Sequence, residues 1–236
     1  MNCPNCNHNK HVLFANKNSY KLFKCQSCTL IFVDPMPSEK ELNEFYQNYH
    51  KTSQYTGKID SKQRRARKRI KSIKNLAKGK TFIDIGCNAG FAVEAARILR
   101  LEATGIDVDH TAIEFAKQHY PQASFQAMSI QKLAETGKTF DIIYCSEVIE
   151  HLPRVDDFVS SLNKILKQDG VILLTTPDIA HYSIVKNPLE WDAVRPPEHL
   201  LYFSKKSLGF LLKKHGFNRV KFKFNFKPTL KVIIRK

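Results

Sequence analysis

From residue 80 to the end of the chain, apolar runs of strand length alternate with amphipathic segments of helix length. Such alternation is typical of a parallel β-sheet with helices packed on both of its faces. The last two runs, Arg219–Asn225 and Leu230–Arg235, are separated only by Phe226–Thr229, which predicts an antiparallel hairpin. The sequence therefore predicts an α/β, Rossmann-like domain at residues 80–236, with a mostly parallel sheet and an antiparallel last strand.

Four of the six cysteines lie within the first 28 residues as two C-x2-C pairs, Cys3/Cys6 and Cys25/Cys28. The N-terminal run MNCPNCNHNK has no apolar core and does not resemble a signal peptide, so we expect a cytoplasmic protein. In that compartment the spacing indicates a metal site rather than disulfides. Four thiolates complete a tetrahedral shell, which predicts a structural Zn²⁺ in a small ribbon at residues 1–33. Four metal-free buried cysteines are the alternative, and a segment this short has no other core.

Residues 34–79 are predicted to form a helical linker or lid. The run Ser38-Glu39-Lys40-Glu41 is a capping box that should start one helix. A second helix is predicted at Ser61–Leu76, where one face is strongly basic and the other is apolar. The apolar stripe consists of Ala66, Ile70, Ile73 and Leu76. The basic face is either a solvated surface or an anion-binding one.

The formal net charge is +16, because 38 lysines and arginines stand against 22 acidic residues. This balance suggests a polyanionic partner: nucleic acid, a phosphorylated or nucleotide-linked substrate, or an anionic membrane surface. A surface rich in lysine without any such partner is the alternative. The longest apolar runs have the length of strands, so no membrane span is predicted.

A glycine-containing loop, Asp84-Ile85-Gly86-Cys87-Asn88-Ala89-Gly90, lies between the first predicted strand of this domain and its helix. Gly86 permits a tight turn, and Gly90 permits close approach of a ligand to the backbone. A dinucleotide site would need a glycine at position 88, which is Asn88 here. The carboxylate of Asp84 suits a cationic ligand, such as the amino group of S-adenosylmethionine. Asp107, which ends the next strand, can accept hydrogen bonds from both ribose hydroxyls.

Over about residues 70–236 the motifs FIDIGCNAG, GIDVD, FDIIYCSEVIEHL and GVILLTTP resemble those of the class I S-adenosylmethionine-dependent methyltransferases. The resemblance implies a seven-stranded sheet with an antiparallel last strand, and S-adenosylmethionine as cofactor. It also implies that Met128 and Ser129 lie beside the adenine, without the acidic residue that is usual there. The cofactor residues that it implies are Asp84, Gly86, Asn88, Gly90, Asp107, Val108, Met128, Ser129 and Ser146. The other two cysteines, Cys87 and Cys145, are predicted to be small buried residues.

The N-terminal part, CPNC…CQSCTLIFVDPMPSEKELNEFY, resembles the zinc-ribbon-bearing methyltransferases of sugar and surface-polysaccharide biosynthesis. That resemblance implies a small-molecule acceptor, such as a nucleotide-sugar. Tyr46, Tyr49 and Trp191 are candidates for a lid or stacking surface over a sugar or base.

Two motifs are placed where the acceptor should bind: Glu147-Val148-Ile149-Glu150-His151 and Pro196-Pro197-Glu198-His199-Leu200. The spacing of the first predicts both glutamates and the histidine on one helical turn. It resembles the metal-binding motif of small-RNA 2′-O-methyltransferases and of ubiquinone-pathway O-methyltransferases. That resemblance implies a Mg²⁺ site formed by Glu147, Glu150, His151 and His199, which would lower the pKa of the acceptor hydroxyl.

The metal-free alternative makes His199 a general base that Glu198 or Glu150 orients. The catalytic candidates are thus His199, His151 and Glu150. The leading hypothesis is methyl transfer to a hydroxyl, in preference to a carbon, of a sugar or similar small metabolite. A 2′-O-type RNA methyltransferase is the second, and a catalytically silent cofactor-binding protein is the third.

Overall fold

The computed structural model describes residues 2–38, 40–42, 44–45, 59–184 and 186–236. Its strands are β1 (His11–Lys17), β2 (Tyr20–Cys25), β3 (Ile31–Val33), β4 (Thr81–Ile85), β5 (Glu102–Asp107), β6 (Ser124–Ala127), β7 (Phe140–Ser146), β8 (Leu166–Pro177), β9 (Leu201–Tyr202), β10 (Arg219–Lys223) and β11 (Thr229–Arg235). Its α-helices are α1 (Ile59–Lys71), α2 (Phe91–Ile98), α3 (His110–His119), α4 (Ile130–Glu135), α5 (Val155–Ile165) and α6 (Lys205–Lys214). Short 3₁₀ turns cover Lys74–Leu76, Ile149–His151 and Pro188–Glu190.

Seven of the strands form one sheet in the order β10-β11-β8-β7-β4-β5-β6. The pairs β4–β5, β4–β7 and β5–β6 are parallel. The sheet is mostly parallel with an antiparallel end, as the alternation and the methyltransferase motifs predict. Strands β10 and β11 are neighbours in the sheet, where the sequence predicts a hairpin.

A separate four-stranded sheet has the order β1-β2-β3-β9, and its pairings are antiparallel. Its first three strands belong to the predicted ribbon. The fourth comes from much later in the chain, with Ile31 opposite Tyr202 and Phe32 opposite Leu201. The backbone N–H of Val33 also donates to the carbonyl of Leu200. The ribbon therefore completes its sheet with a segment that lies next to the second predicted acceptor motif.

The chain divides into two compact units, and the division differs from the predicted boundaries after residues 33 and 79. The first unit comprises Met1–Thr52, Glu147–Val159 and Thr175–Lys231, and the second comprises Ser53–Ser146, Ser160–Leu174 and Val232–Lys236. The first groups the ribbon with both acceptor motifs because β3 pairs with β9. The second holds the glycine loop and the strands around it.

The core of the second unit forms between helix α1 and the sheet. Ala66, Ile70 and Ile73 of the predicted apolar stripe are buried against a cluster that includes Phe82 and Ile142. Leu76 departs from the prediction, since 37% of it is exposed. The α-helix ends at Lys71, and the following 3₁₀ turn has three residues per turn, which moves Leu76 off the stripe.

The predicted capping box forms at the start of the linker. The Ser38 hydroxyl accepts from the Glu41 backbone N–H, and the Glu41 carboxylate accepts from the Ser38 N–H at 2.7 Å. Tyr46 and Tyr49, the two tyrosines of the predicted lid, lie outside the described residues. In the described part of the chain no helix has the length and apolar character needed to cross a membrane.

Candidate active site

The predicted cofactor residues lie at the carboxyl ends of four strands, β4, β5, β6 and β7. Because these strands are parallel, their carboxyl ends share one edge of the sheet, which is where open α/β sheets bind ligands. The cofactor candidates are among the last two residues of these strands or follow them, and all belong to the second unit. The structure therefore brings the predicted cofactor set together at one edge.

The glycine loop needs its glycines for two separate reasons. Gly86 and Gly90 both have positive φ angles, 72° and 81°, which residues other than glycine rarely adopt. A Cβ atom on Gly90 would also lie 2.8 Å from the ring of Phe125. The backbone N–H groups of Gly86 and Cys87 both donate to the carbonyl of Ile106, which ties the loop to β5.

Two carboxylates flank this loop. Asp84 is buried, and burial raises its pKa well above its usual range, with the negative charge of Asp107 adding to the effect. The Asp107 carboxylate accepts from the backbone N–H groups of Asn88 at 2.8 Å and Asp109 at 3.0 Å. A buried carboxyl beside a second carboxylate gains most from a cationic ligand. These two carboxyl groups therefore fit the ammonium and sulfonium groups of S-adenosylmethionine better than a pyrophosphate.

The residues predicted to lie near the adenine differ in whether their side chains are available to contact a ligand. Val108 is 70% exposed and presents an apolar surface directly after Asp107. The Ser129 hydroxyl instead caps helix α4 by accepting from the backbone N–H of Lys132. Met128 is fixed through its backbone N–H, which donates to the carbonyl of Asp107. Val108 thus offers the apolar surface, while the Ser129 hydroxyl is committed to the helix.

The sequence places Arg69 on the basic face of the predicted 61–76 helix and indicates no role for it at the cofactor site. Its guanidinium donates to the hydroxyl of Ser146 at 2.9 Å and to the hydroxyl of Tyr144 at 3.2 Å. It therefore holds the last residue of β7 among the cofactor candidates. The sequence signal is weak: Arg69 directly precedes the buried Ile70, so it borders the apolar stripe rather than the centre of the basic face.

Cys87 and Cys145 are both buried, as predicted. Cys87 packs against Gly105, where an added Cβ would lie 2.8 Å from the Cys87 sulfur. Burial raises the pKa of the Cys87 thiol, and the nearby Asp84 and Asp107 raise it further. A thiol held in the neutral form is not a nucleophile.

The first acceptor motif does not form one regular helical turn. Glu147 has a positive φ of 57°, and the 3₁₀ turn begins only at Ile149. Glu147 is held by Thr175, whose carbonyl accepts from the Glu147 N–H and whose hydroxyl donates to the Glu147 carboxylate at 2.8 Å. The left-handed conformation is costly for a glutamate, and strained residues of this kind cluster at functional sites.

The two histidines of the acceptor motifs lie together, with ring centroids 4.7 Å apart and planes nearly perpendicular. Nδ1 of His151 contacts the Glu198 carbonyl oxygen at 2.7 Å, and Nδ1 of His199 contacts the Ala193 carbonyl oxygen at 2.7 Å. A carbonyl oxygen only accepts hydrogen bonds, so each Nδ1 carries the proton and each Nε2 keeps its lone pair. The group that orients His199 is therefore a backbone carbonyl rather than the side chain of Glu198 or Glu150.

Both rings are neutral at physiological pH. Burial lowers the pKa of His151 to about 4, and burial with the nearby His151 and Arg195 lowers the pKa of His199 to about 3. Glu198 forms an ion pair with Arg195 at 2.9 Å. A neutral imidazole whose lone pair is on Nε2 can serve as a metal ligand or as a proton acceptor.

Glu150 is almost fully buried beside these rings. One of its carboxylate oxygens accepts from the Thr176 hydroxyl at 2.9 Å, and the other has no hydrogen-bond partner within the described residues. Burial and the negative charge of Glu147 raise the pKa of Glu150 well above its usual range. Ligand atoms of Glu150, His151 and His199 all lie within 4.8 Å of one another. An unpartnered buried oxygen near two imidazole lone pairs fits a divalent cation.

These residues adjoin a pocket of about 350 Å³, which we call the acceptor pocket. Its wall includes Glu147, His151 and His199, together with Trp191, the predicted stacking residue. Arg195 and Lys227 also line it, so its wall carries charges of both signs. The volume is in the lower part of the range for small-molecule sites.

The four ribbon cysteines converge. The sulfurs of Cys3 and Cys28 are 3.6 Å apart, those of Cys6 and Cys25 are 3.5 Å apart, and none of the four is in a disulfide. Contact with the Cys3 thiol lowers the pKa of Cys28 to about 5, and the same contact raises the pKa of Cys3. The four sulfurs lie within 4.8 Å of one another, an arrangement that fits a tetrahedral Zn²⁺.

A family model described as "Methyltransferase domain" matches residues 55–221. The chain belongs to this methyltransferase family. The match includes the glycine loop, Asp107 and both acceptor motifs. The chain therefore carries a methyltransferase domain.

Among curated proteins, this methyltransferase is similar to the ubiquinone biosynthesis O-methyltransferase of Mesorhizobium japonicum, with 33% identity over 102 residues. That match covers 42% of this chain and 41% of the relative, so less than half of either protein is compared. Among solved structures, the S-adenosylmethionine-dependent methyltransferase of Archaeoglobus fulgidus matches with a TM-score of 0.58 and 18% identity, covering 74% of this chain and 94% of that one. Magnesium protoporphyrin IX methyltransferase from Synechocystis, solved with bound S-adenosylhomocysteine, matches at 0.55 and 14%, covering 84% and 95%. At these identities the solved structures support the fold alone.

We expect Asp107→Ala to weaken S-adenosylmethionine binding by about 1.5–3 kcal/mol, because it removes a charged acceptor for the ribose hydroxyls. Asp107→Asn keeps one acceptor oxygen and should lose less. Isothermal titration calorimetry on both variants measures the difference. Unchanged affinity in Asp107→Ala, or tighter binding of NAD than of S-adenosylmethionine by the wild type, would contradict this assignment of the methyltransferase's cofactor residues.

Proposed function

We propose that this methyltransferase transfers the methyl group of S-adenosylmethionine to a hydroxyl, in preference to a carbon, of a sugar or similar small metabolite. The observation that carries the proposal is the pair of neutral histidines, His151 and His199, each with its proton on Nδ1 and therefore its lone pair on Nε2, beside a small pocket. A site that binds or deprotonates a hydroxyl needs such lone pairs. The O-methyltransferase name of the curated relatives is consistent with an oxygen acceptor.

Bound S-adenosylmethionine supplies an electrophilic methyl group on a positively charged sulfur. Asp84, Gly86, Gly90 and Asp107 would hold the cofactor, and the acceptor-side residues of this chain would handle the proton of the acceptor. The cofactor would give its methyl group to the acceptor oxygen and would keep the electron pair of the broken C–S bond. The hydroxyl proton leaves the acceptor and is taken up by Nε2 of His199 or by water.

The low pKa of the two histidines favours a metal-assisted version of this chemistry. General bases work best with a pKa near the working pH, whereas neutral imidazoles bind a metal without first losing a proton. Glu150, His151 and His199 would hold the ion, and Glu147 lines the same pocket. The ion would polarise the acceptor hydroxyl. Two imidazoles favour a first-row transition metal such as Mn²⁺ or Fe²⁺ over the Mg²⁺ that the sequence suggests.

One experiment tests the proposed function directly. Protein loaded with S-adenosylmethionine is incubated with a panel of nucleotide-sugars, other hydroxylated metabolites and short RNAs, with added Mn²⁺ or Mg²⁺. Mass spectrometry then detects the addition of one methyl group and locates it. We expect transfer to a hydroxyl of a small molecule. Methyl transfer only to RNA, or to a nitrogen atom, would contradict this proposal.

RNA methylation is the second candidate, and the basic face of α1 is the observation that favours it. Arg69 turns toward Ser146, but Arg64, Arg65, Arg67 and Lys68 are exposed. Cations on one exposed helix face are suited to contact phosphates. The helix gives no means of reading bases, however, and the acceptor pocket is small.

Salt dependence separates the two candidates. An RNA that contacts several of these cations releases several counterions, so its affinity should fall steeply as salt rises. A nucleotide-linked small molecule carries only one or two phosphates, and its turnover should depend weakly on salt. We expect weak dependence between about 50 and 200 mM salt. Arg64→Gln combined with Lys68→Gln should then leave turnover unchanged, and a large loss in that double variant would favour RNA.

A further inference from the structure

The positive charge of the chain is concentrated in one stretch of the sequence. Residues 199–236 contain eleven lysines and arginines and no aspartate or glutamate, in a chain whose formal net charge is +16. The excess is therefore not spread evenly over the protein. A concentration of this kind predicts a strongly cationic surface with an anionic partner.

Strand β10 displays part of this charge on one exposed face. Arg219, Lys221 and Lys223 are exposed, and they alternate with Val220 and Phe222, which are partly buried. Because successive side chains of a strand point to opposite faces, the three cations share one face. β10 is also the outer strand of its sheet. Cations on an outer strand oppose pairing with a strand of a second copy of the chain.

Two phenylalanines form the tip of the β10–β11 hairpin. Phe224 and Phe226 are 72% and 78% exposed, which makes them the two most exposed large apolar side chains among the described residues. Their rings pack edge-on against each other, with centroids 4.9 Å apart and planes at 84°. The exposed Lys227 follows directly. The two rings together form one apolar projection, and its contact with water is unfavourable.

Hydrogen bonds hold this tip in shape. The side-chain amide of Asn225, between the two phenylalanines, donates to the Thr229 carbonyl at 3.2 Å. The Asn225 carbonyl oxygen lies 3.2 Å from Nε2 of His181, and the Asp178 N–H donates to the Pro228 carbonyl at 3.1 Å. A tip that is already ordered loses little conformational freedom when it binds a partner.

Further cations and another aromatic ring border the same tip. Lys205 and Lys206 of α6 are exposed, and Tyr182 is 64% exposed. These three residues line one cavity together with Lys223 and Phe224. An apolar projection bordered by ammonium groups has the chemistry of a membrane-surface element, whose rings enter the lipid boundary while its cations meet the phosphates.

We propose that the tip of the β10–β11 hairpin docks the protein on an anionic phospholipid membrane surface. Phe224 and Phe226 insert at the boundary of the lipid chains, and Lys221, Lys223 and Lys227 contact the headgroups. Single-stranded nucleic acid also binds cations and aromatic rings, but it needs ring faces along a groove, each open to one base. Two rings packed edge-on at a projecting tip suit insertion better. The inference does not depend on the proposed function.

Sedimentation with lipid vesicles tests the proposal on the full-length protein. The vesicles contain phosphatidylcholine alone or phosphatidylcholine with about 30% phosphatidylglycerol, which supplies the negative charge. We expect the anionic lipid to strengthen binding about tenfold or more, and a rise from about 50 to 500 mM salt to remove most of that gain. In Phe226→Trp, bromine atoms on the lipid chains should quench the new fluorescence. Trp191, the one native tryptophan, gives the wild-type baseline.

A matched pair of variants tests the inserted rings. Phe224→Ser combined with Phe226→Ser should weaken binding to anionic vesicles about tenfold or more, because the apolar area that enters the lipid is lost. The control is Val12→Ser combined with Leu13→Ser, which removes apolar side chains that are 46% and 54% exposed on β1. The control should change binding by less than about twofold.

A second matched pair tests the local charge. Lys221→Gln combined with Lys223→Gln should weaken binding about tenfold or more, because both cations lie next to the inserted tip. Lys132→Gln combined with Lys138→Gln makes the same change in net charge at exposed positions of the second compact unit. That control should cost less than about threefold. Unchanged Tm and unchanged S-adenosylhomocysteine binding in every variant exclude unfolding as the cause.

Equal binding to neutral and anionic vesicles, absent quenching in Phe226→Trp, or equal losses in hairpin and control variants would overturn the proposal. A short RNA that binds more tightly than the vesicles, and loses affinity in Phe224→Ser/Phe226→Ser, would replace the membrane by a nucleic acid. A dimer that the same substitutions abolish, without vesicle binding, would assign the tip to a second copy of the chain. Methyl transfer in solution is measured separately, so a failure of either proposal leaves the other in place.

Discussion

His199→Ala should lower kcat by about 10²–10⁴-fold while leaving the affinity for S-adenosylmethionine within about twofold of the wild type. The reason is that Nε2 of His199 is the free lone pair in the acceptor pocket, whereas the predicted cofactor residues belong to the other compact unit. Single-turnover kinetics with the acceptor found in the screen measures the first quantity, and calorimetry measures the second.

The matched control for this variant is His119→Ala. His119 also contacts a backbone carbonyl through Nδ1, that of Phe115, but it is exposed at the end of α3. It should have normal turnover. A His199→Ala enzyme with near-normal kcat would remove both the metal-ligand and the general-base roles of His199.

Metal dependence then distinguishes the two roles. If Glu150, His151 and His199 bind an ion, treatment with a mild chelator should abolish turnover and added Mn²⁺ should restore it better than Mg²⁺. If His199 acts as a metal-free base, the same treatment should have no effect. Electron paramagnetic resonance gives a readout that does not need the acceptor, because bound Mn²⁺ should disappear in Glu150→Gln.

Removal of the ribbon metal should have the second large effect. We expect one tightly bound Zn²⁺ per chain, held by Cys3, Cys6, Cys25 and Cys28. Such sites contribute about 10–16 kcal/mol of apparent binding free energy, so loss of even part of it should lower Tm by ~10 °C or more. Elemental analysis of protein purified without added metal, and calorimetric melting before and after strong chelation, measure the two quantities.

The structure indicates that loss of the zinc should also disturb residues outside the ribbon. Ile31 and Phe32 pair with β9, and the Asn5 side chain donates to the Ser207 carbonyl at 2.9 Å. Chelation should therefore expose the amides of 201–207 to hydrogen exchange along with those of the first 33 residues. S-adenosylhomocysteine binding should survive, because the predicted cofactor residues lie in the second unit.

Cys145→Ala is the control for the zinc prediction, because Cys145 is buried in β7 and far in sequence from the ribbon. It should keep a full complement of zinc, whereas Cys28→Ser should lose it. A zinc content near zero in the wild type, or unchanged exchange at 201–207 after chelation, would contradict the prediction.

Much of the cofactor edge could be predicted because its determinants are local. Gly86 and Gly90 both take a positive φ. The short stretch of sequence between a strand and a helix is enough to predict that glycine is needed at these two positions. Strand alternation likewise predicts that loops after parallel strands share an edge. The contact of Arg69 with Ser146 could not be predicted, because the two residues lie 77 residues apart in the chain and nothing in the local sequence indicates the contact.

The acceptor side depended on contacts that are distant in sequence. The two histidine motifs could be recognised separately, but the structure brings them together by a hydrogen bond from the Leu200 N–H to the Glu150 carbonyl. Side-chain orientation also came from the fold, since the Ala193 carbonyl rather than a glutamate holds His199. A cavity lined by Lys24, Lys205 and Lys223 is formed by four separated segments, so no single stretch of sequence indicated it.

The sequence by itself determined the fold class, the glycine loop and the cysteine spacing of the ribbon, because each rests on short-range geometry: periodicity, a required φ angle, or the span of a C-x2-C pair. Only the tertiary structure decided that β9 completes the ribbon sheet, that Glu150 is buried beside two neutral imidazoles, and that lysines from three elements face one cavity. Those features arise when chain packing excludes water and brings remote residues together, and burial then sets the protonation of the groups that it encloses.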